Sequence, residues 1–148
     1  MDRIDRAILA ALANDGRLSN KELAARVGLA PSSCHERLKR LQDTGAIRGF
    51  FADVDPAALG FALEAMIAVR LTKHSRAAYE RFRAYVLELP EVVGVFPMSG
   101  EADFLVHVLA RAPHHLRAIA TDGLMVREQV AHIETGLVFE HLRARATY

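Results

Sequence analysis

The chain has 148 residues, 51% of them hydrophobic and 25% charged, with a formal net charge of +1. Disorder is excluded as the default, since disordered chains lack that much apolar material, and a near-neutral balance alone points to no nucleic-acid or membrane partner. No apolar run reaches the ~18 residues of a membrane span, the opening MDRIDRAILAAL lacks the cleavage region of a secretion signal, and the single Cys34 can make no internal disulfide.

These features lead us to expect an intracellular, cytoplasmic protein without a membrane partner. Residues 1–53 carry nine Lys/Arg against seven Asp/Glu, and residues 54–148 carry ten against eleven. That asymmetry is too weak to argue from, so local pattern has to carry the reading.

In residues 3–13, Ile4, Ile8, Leu9 and Leu12 recur at helical spacing, and Asn14-Asp15-Gly16 supplies the stop. Ser19 and Glu22 form a capping box: the hydroxyl accepts from the N–H three residues on while the carboxylate reaches back to the cap. The helix it opens should bury Leu23, Ala24 and Val27 and end at Gly28. Pro31 suits the first turn of a third helix, because its missing N–H would be unpaired there in any case. In that helix Cys34, Leu38 and Leu41 form the inward stripe, and Gly45 ends it. Residues 46–54 are rich in β-favouring side chains and read as an extended wing, broken by Asp55-Pro56.

The texture then changes. Strand 65–72 alternates Ala65, Ile67, Val69 and Leu71 against Met66, Ala68, Arg70 and Thr72. A helix over 75–89 aligns Tyr79, Phe82, Val86 and Leu89. Strands 92–98 and 103–110 flank the turn Ser99-Gly100-Glu101-Ala102, a helix follows Pro113 with Leu116, Ile119 and Ala120 inward, and a last strand runs over about 130–139. The βαββαβ order is ferredoxin-like. The fold class is therefore α+β. A winged helix-turn-helix occupies 1–54, a linker 55–64, and a ferredoxin-like domain 65–148.

Two signals carry function. A capped helix, a short Gly-containing turn and a helix with a polar beginning make a helix-turn-helix. Ser32, Ser33, His35, Glu36, Lys39 and Arg40 point away from its apolar stripe, with Arg37 at the border. Hydroxyls at the helix entrance can meet phosphates or base edges, and Arg37 and Arg40 can reach guanine acceptors or phosphate. The bland alternative is a solvated helical face with charges kept for solubility. The second signal is the turn at Ser99–Asp103. Gly100 allows a tight turn with exposed N–H groups, while Glu101 and Asp103 can accept from an ammonium group. Its bland alternative is a solvent-exposed hairpin turn.

The stretch LSNKELAARVGLAPSSCHERLKRLQDTGAIRGFFADVDPAALG resembles the N-terminal half of the leucine-responsive regulatory protein/asparagine-regulator (Lrp/AsnC, feast/famine) transcription factors. The likeness continues through PEVVGVFPMSGEADFLVHV and HIETGLVFE and covers nearly the whole chain. The resemblance implies a DNA-binding winged helix joined to a RAM/ACT-like domain that binds an amino acid between dimers. It also implies homodimers formed through the C-terminal sheets, assembling further into tetramers or octamers. Carried over by position, it puts Gly100, Glu101 and Asp103 in the effector site, with Met98, Ser99, Thr135 and Gly136 beside them. Localisation in the cytoplasm, on the nucleoid of a bacterium or archaeon, follows.

Two positions depart from the family pattern. Ala30 stands where Ser is common, removing a side-chain helix cap, and Ala102 stands where an aromatic residue is frequent, which widens or empties the pocket. An effector-independent architectural DNA-binding protein of the same fold therefore stays open beside the effector-responsive regulator. A small α+β enzyme is the third class and has least support: no nucleophile elbow, P-loop or dinucleotide fingerprint occurs, so no catalytic residue or cofactor is assigned. His114 and His115 are adjacent, and His74, His107, His132 and His141 show no helical ligand spacing, so no metal site is assigned either. The expected operator is an imperfect palindrome on double-stranded DNA, with two recognition helices about one DNA turn apart, ~34 Å.

Overall fold

The computed structural model describes residues 1–72 and 75–148, which form two compact units: 1–53 with 142–148, and 54–141. His74, weighed above for metal binding, lies outside the described residues.

The first unit is three helices, α1 (Arg3–Asn14), α2 (Asn20–Val27) and α3 (Pro31–Asp43). Each start has a local cause. Asp2 caps α1 and Asp5 reaches back to it, so α1 also opens on a capping box. Ser19 and Glu22 do the same for α2, which Gly28 ends in the left-handed conformation at φ 71°. Ile8, Leu23 and Cys34 are wholly buried at the centre, with Leu38 half-buried and Leu41 closing the stripe. Burial of such side chains is worth roughly 1.5–3 kcal/mol each. Asn14 joins the end of α1 to the C-terminal residues, bonding the Ala146 N–H and carbonyl at 3.1 and 3.0 Å. Residues 142–148, expected in the second domain, therefore group with the first unit.

The wing is not a strand. Residues 46–54 pair with no strand among the described residues, and Phe51 is 89% exposed. β-Favouring side chains stabilise a strand only by packing across a ladder, and here just Ile47 finds the helical core.

The second unit opens with a 3₁₀ turn over Pro56–Leu59, capped by Asp55, inside the segment expected as linker. There follow β1 (Leu63–Leu71), α4 (Arg76–Val86), β2 (Val92–Pro97), β3 (Phe104–Ala110), α5 (Pro113–Ala118), a π-helix (Ile119–Met125) and β4 (Val130–Val138). The antiparallel sheet has the order β2-β3-β1-β4, that of the expected ferredoxin-like fold. Ala65, Ile67, Val69 and Leu71 face the helices, across from Val108, Val106 and Phe104 of β3. Phe104 stacks on Tyr79 at 4.6 Å and tilts against Phe82 at 5.0 Å. The other face of β1 carries Glu64, Met66, Ala68 and Arg70, as alternation requires. A register shift at Arg70/Leu71 distorts the pairing with β4 at its end. Among the described residues no helix is long and apolar enough to cross a membrane.

Candidate nucleic-acid interface and effector turn

α3 begins at Pro31 after Ala30, whose backbone is extended (φ −67°, ψ 144°) and which offers no side-chain cap. The amide of Asn20 in α2 donates to the Pro31 carbonyl at 2.8 Å and fixes the approach of the two helices. With Cys34 and Leu41 buried, Ser32, Ser33, His35, Glu36, Lys39 and Arg40 are all exposed and Arg37 is half-buried. All seven residues singled out from the sequence thus lie on one helix, outside its apolar stripe. Burial pushes the Cys34 thiol up, consistent with a core role.

Two of the seven are held by α1. Arg37 Nη1 donates to Asp2 Oδ2 at 2.7 Å and to Asp5 Oδ1 at 2.8 Å. Arg40 Nη2 donates to both oxygens of Asp5 at 2.9 Å. Asp5 is 2% exposed, the one buried charged side chain among the described residues. The Asp5 N–H and the Arg37 guanidinium hold the Asp2 carboxyl at about 2. The Asp2 N–H and the two guanidinium groups likewise lower Asp5 against the cost of its burial, and the carboxylates raise Arg37. Sequence reasoning missed this cluster. Its signal was two acids three residues apart on the first helix and two arginines three apart on the third.

In the second unit, the turn between β2 and β3 is tied down by its own backbone: the Met98 N–H donates to the Asp103 carbonyl at 3.0 Å. Gly100 has φ 136°, which side-chain-bearing residues rarely adopt, although open space surrounds it. Asp103 bonds inward: its N–H donates to Val69 at 2.9 Å and its Oδ2 accepts the Leu71 N–H at 2.7 Å. Glu101 points outward, 93% exposed, with Oε1 4.0 Å from Arg70 Nη1.

A concavity of about 130 Å³ lies beside this turn, lined by Ala68, Arg70, Glu101, Ala102, His132 and Glu134. Of the seven expected effector residues only Glu101 lines it. Met98, Ser99 and Gly100 are exposed along the turn, and Thr135 and Gly136 sit further along β4, paired with Ile67 and Met66. Arg70, His132 and Glu134 were not expected. They come together because β1 and β4 pair Arg70 with His132 and Ala68 with Glu134. One guanidinium and two carboxylates in one hollow can hold the two ends of a zwitterion. The larger concavity, about 670 Å³ in the first unit, is walled mainly by apolar side chains such as Leu9, Leu12, Phe50 and Phe51 and lacks acidic residues. Elsewhere His107 Nε2 lies 2.5 Å from Glu64 Oε1 and His115 Nε2 3.3 Å from Glu91 Oε1.

Comparison with known proteins agrees with both halves. Residues 1–42 match the AsnC-type helix-turn-helix domain and residues 64–147 the Lrp/AsnC ligand binding domain. The HTH-type transcriptional regulator AldR of Mycolicibacterium smegmatis is 46% identical over 143 residues, 97% of this chain and 84% of that protein. Among solved structures, a transcriptional regulator of Neisseria meningitidis in complex with L-Met superposes with a TM-score of 0.89 at 32% identity, covering 100% of this chain and 96% of that one. AsnC of E. coli gives 0.83 at 26% identity, covering 99% and 97%. An AsnC-type helix-turn-helix followed by a ligand-binding domain makes this chain a member of the Lrp/AsnC family of transcription regulators.

Proposed function

We propose that the chain is a sequence-specific DNA-binding regulator whose DNA binding or assembly responds to an amino acid, with α3 as the recognition helix. The observation that carries this is the exposed polar face of α3, built from Ser32, Ser33, His35, Glu36 and Lys39 around a buried Cys34–Leu41 stripe. Arg40, whose guanidinium keeps a solvent-facing edge, and the half-buried Arg37 flank that face. Two copies in a homodimer would present two such helices about 34 Å apart to a palindromic operator. Assembly to a tetramer or octamer would let an effector alter which sites are engaged together. Contacts to phosphate from exposed cations such as Lys39 would make binding steeply salt-dependent. The family's regulators, and not any constellation of acid, base or nucleophile, support reading the chain as a non-enzyme.

For the effector, the concavity beside the turn supplies Arg70 for a carboxylate and Glu101 or Glu134 for an ammonium group. Met98, Ser99 and Gly100 belong to the same turn as its lining residue Glu101, and Asp103 shapes the turn by its bonds to Val69 and Leu71. The neisserial relative's complex with L-Met supports an amino acid as the ligand class. Ligand would act allosterically only through unequal affinity for the assembly states. The small Ala102 and the shallow hollow favour a second reading, an effector-independent architectural DNA-binding protein. Fluorescence anisotropy of labelled DNA from the gene's own upstream region, with and without pooled amino acids, separates the two. Salt-sensitive binding that moves with the pool supports the first reading, binding indifferent to it the second, and no preference over random DNA would remove the assignment of α3.

A further inference from the structure

Successive residues of an α-helix are about 100° apart around its axis. With Cys34, Leu38 and Leu41 setting the inward direction of α3, Ser32, Glu36 and Lys39 fall on the side away from the core. Arg37 and Arg40 fall together on one flank. That flank meets the first turn of α1, where Asp2 and Asp5 accept from both guanidinium groups. Two positive and two negative charges cancel there. Asp5 is 2% exposed, so its charge is balanced by the arginines and not by water.

Sequence-blind affinity for DNA grows with every phosphate a protein neutralises. An arginine free to swing on a recognition helix adds to that affinity on any sequence. An arginine whose charge is matched by a buried carboxylate adds little, and it cannot swing. The paired charges also fix the rotation of α3 about its own axis, because each arginine is bonded to a group on a different helix.

We propose that Asp5 is a specificity-determining positioning residue for DNA reading. Its carboxylate withholds the charge of Arg37 and Arg40 from sequence-blind phosphate contact and sets the rotation of α3, leaving Ser32, His35, Glu36 and Lys39 to meet the groove. This rests on α3 being the recognition helix. It assigns the two arginines unequal weight against Lys39: all three are cations on one helix, but only Lys39 carries an unmatched charge among the described residues.

The test uses the full chain and two labelled duplexes of equal length, one selected by the wild-type protein from a randomised pool and one of scrambled sequence. Asp5→Asn keeps the side chain's size and one acceptor oxygen while leaving one net positive charge in the cluster. Binding to the scrambled duplex should tighten by up to about eightfold per protomer at 0.1 M salt, and the log–log salt slope should steepen by about 0.9 per protomer, the increment for one added phosphate contact. The selected duplex should gain less, so the ratio between the two falls at least threefold. Lys39→Ala should flatten the slope by about 0.9 and Arg40→Ala by clearly less. Equal loss on both duplexes with an unchanged slope would mean that Asp5 merely holds the fold, and would overturn the proposal. Should Asp5→Asn fail to fold by circular dichroism, Asp2→Asn, which removes one of the two carboxylates that hold Arg37 and likewise leaves one net positive charge in the cluster, must move slope and ratio in the same direction; no movement overturns it. If the wild-type protein selects no duplex at all, the assignment of α3 falls and this proposal with it. If it selects one and neither variant shifts the ratio, only this proposal falls.

Discussion

Asp103 holds the end of strand β1: its Oδ2 accepts the Leu71 N–H at 2.7 Å, next to the register shift between Arg70 and Leu71. The carboxylate that the sequence suggests for the effector site also supports the strand that carries Arg70. Asp103→Ala takes that acceptor from a part-buried N–H and should cost about 1–3 kcal/mol. Asp103→Asn keeps a carbonyl oxygen at the same place and should cost less. Thermal unfolding of the full chain compares the two.

Arg70→Ala should leave DNA affinity without amino acid unchanged and weaken the response to the amino acid that acts on the wild type by about tenfold, or ~1.4 kcal/mol. The measurement is the anisotropy titration repeated across amino-acid concentrations. A response curve that coincides with wild type would take Arg70 out of the effector site.

Ala30 gives α3 no side-chain cap although its backbone already has the extended conformation of a cap residue. Ala30→Ser should therefore stabilise the chain by about 1 kcal/mol, and Ser19→Ala, which breaks the α2 capping box, should destabilise it by a similar amount. Chemical denaturation followed by helical circular dichroism reads both.

Acid should loosen the α1–α3 clamp. Asp2 is held at about 2, below its ordinary 3.8, and Asp5 is lowered as well. A lowered carboxyl contributes stability that is complete above its unfolded value and is lost as pH falls through its folded value. Stability should thus drop as pH falls from about 4 toward 2, and Asp2→Asn should show a shallower drop over that window. Acid titration at fixed low denaturant distinguishes them.

Phe104 is wholly buried between Tyr79 and Phe82. Phe104→Ala should cost about 3–5 kcal/mol through lost burial and the cavity left behind. Phe104→Leu should cost less, because more of the space stays filled. Equal melting temperatures for the two variants would show that the core collapses around the gap.

What could be read from the sequence was what is local. The Ser19–Glu22 box, the Cys34–Leu38–Leu41 stripe and the alternation along β1 each lie within a few residues, and each appears as expected. The Asp5–Arg37–Arg40 cluster joins residues 32 and 35 apart in the chain, and nothing in either helix alone reveals its partner. The hollow beside the turn is of the same kind, since Arg70 and His132 meet only through strand register. Residues 46–54 show the reverse failure. Their β-favouring composition is real, but a strand needs a neighbour that no local pattern can supply.

β1 lies inside the sheet, paired on one side with β3 and on the other with β4. Its last partner begins at Val130, almost sixty positions after Leu71, whereas the three-helix core closes with nothing beyond Ile47. Chain separation of this kind slows folding, and local helical contacts speed it. Synthesis proceeds from the N-terminus, so the helices can assemble while the sheet still waits for its outer strand. The half that reads DNA is built early, and the half that senses the ligand is finished last.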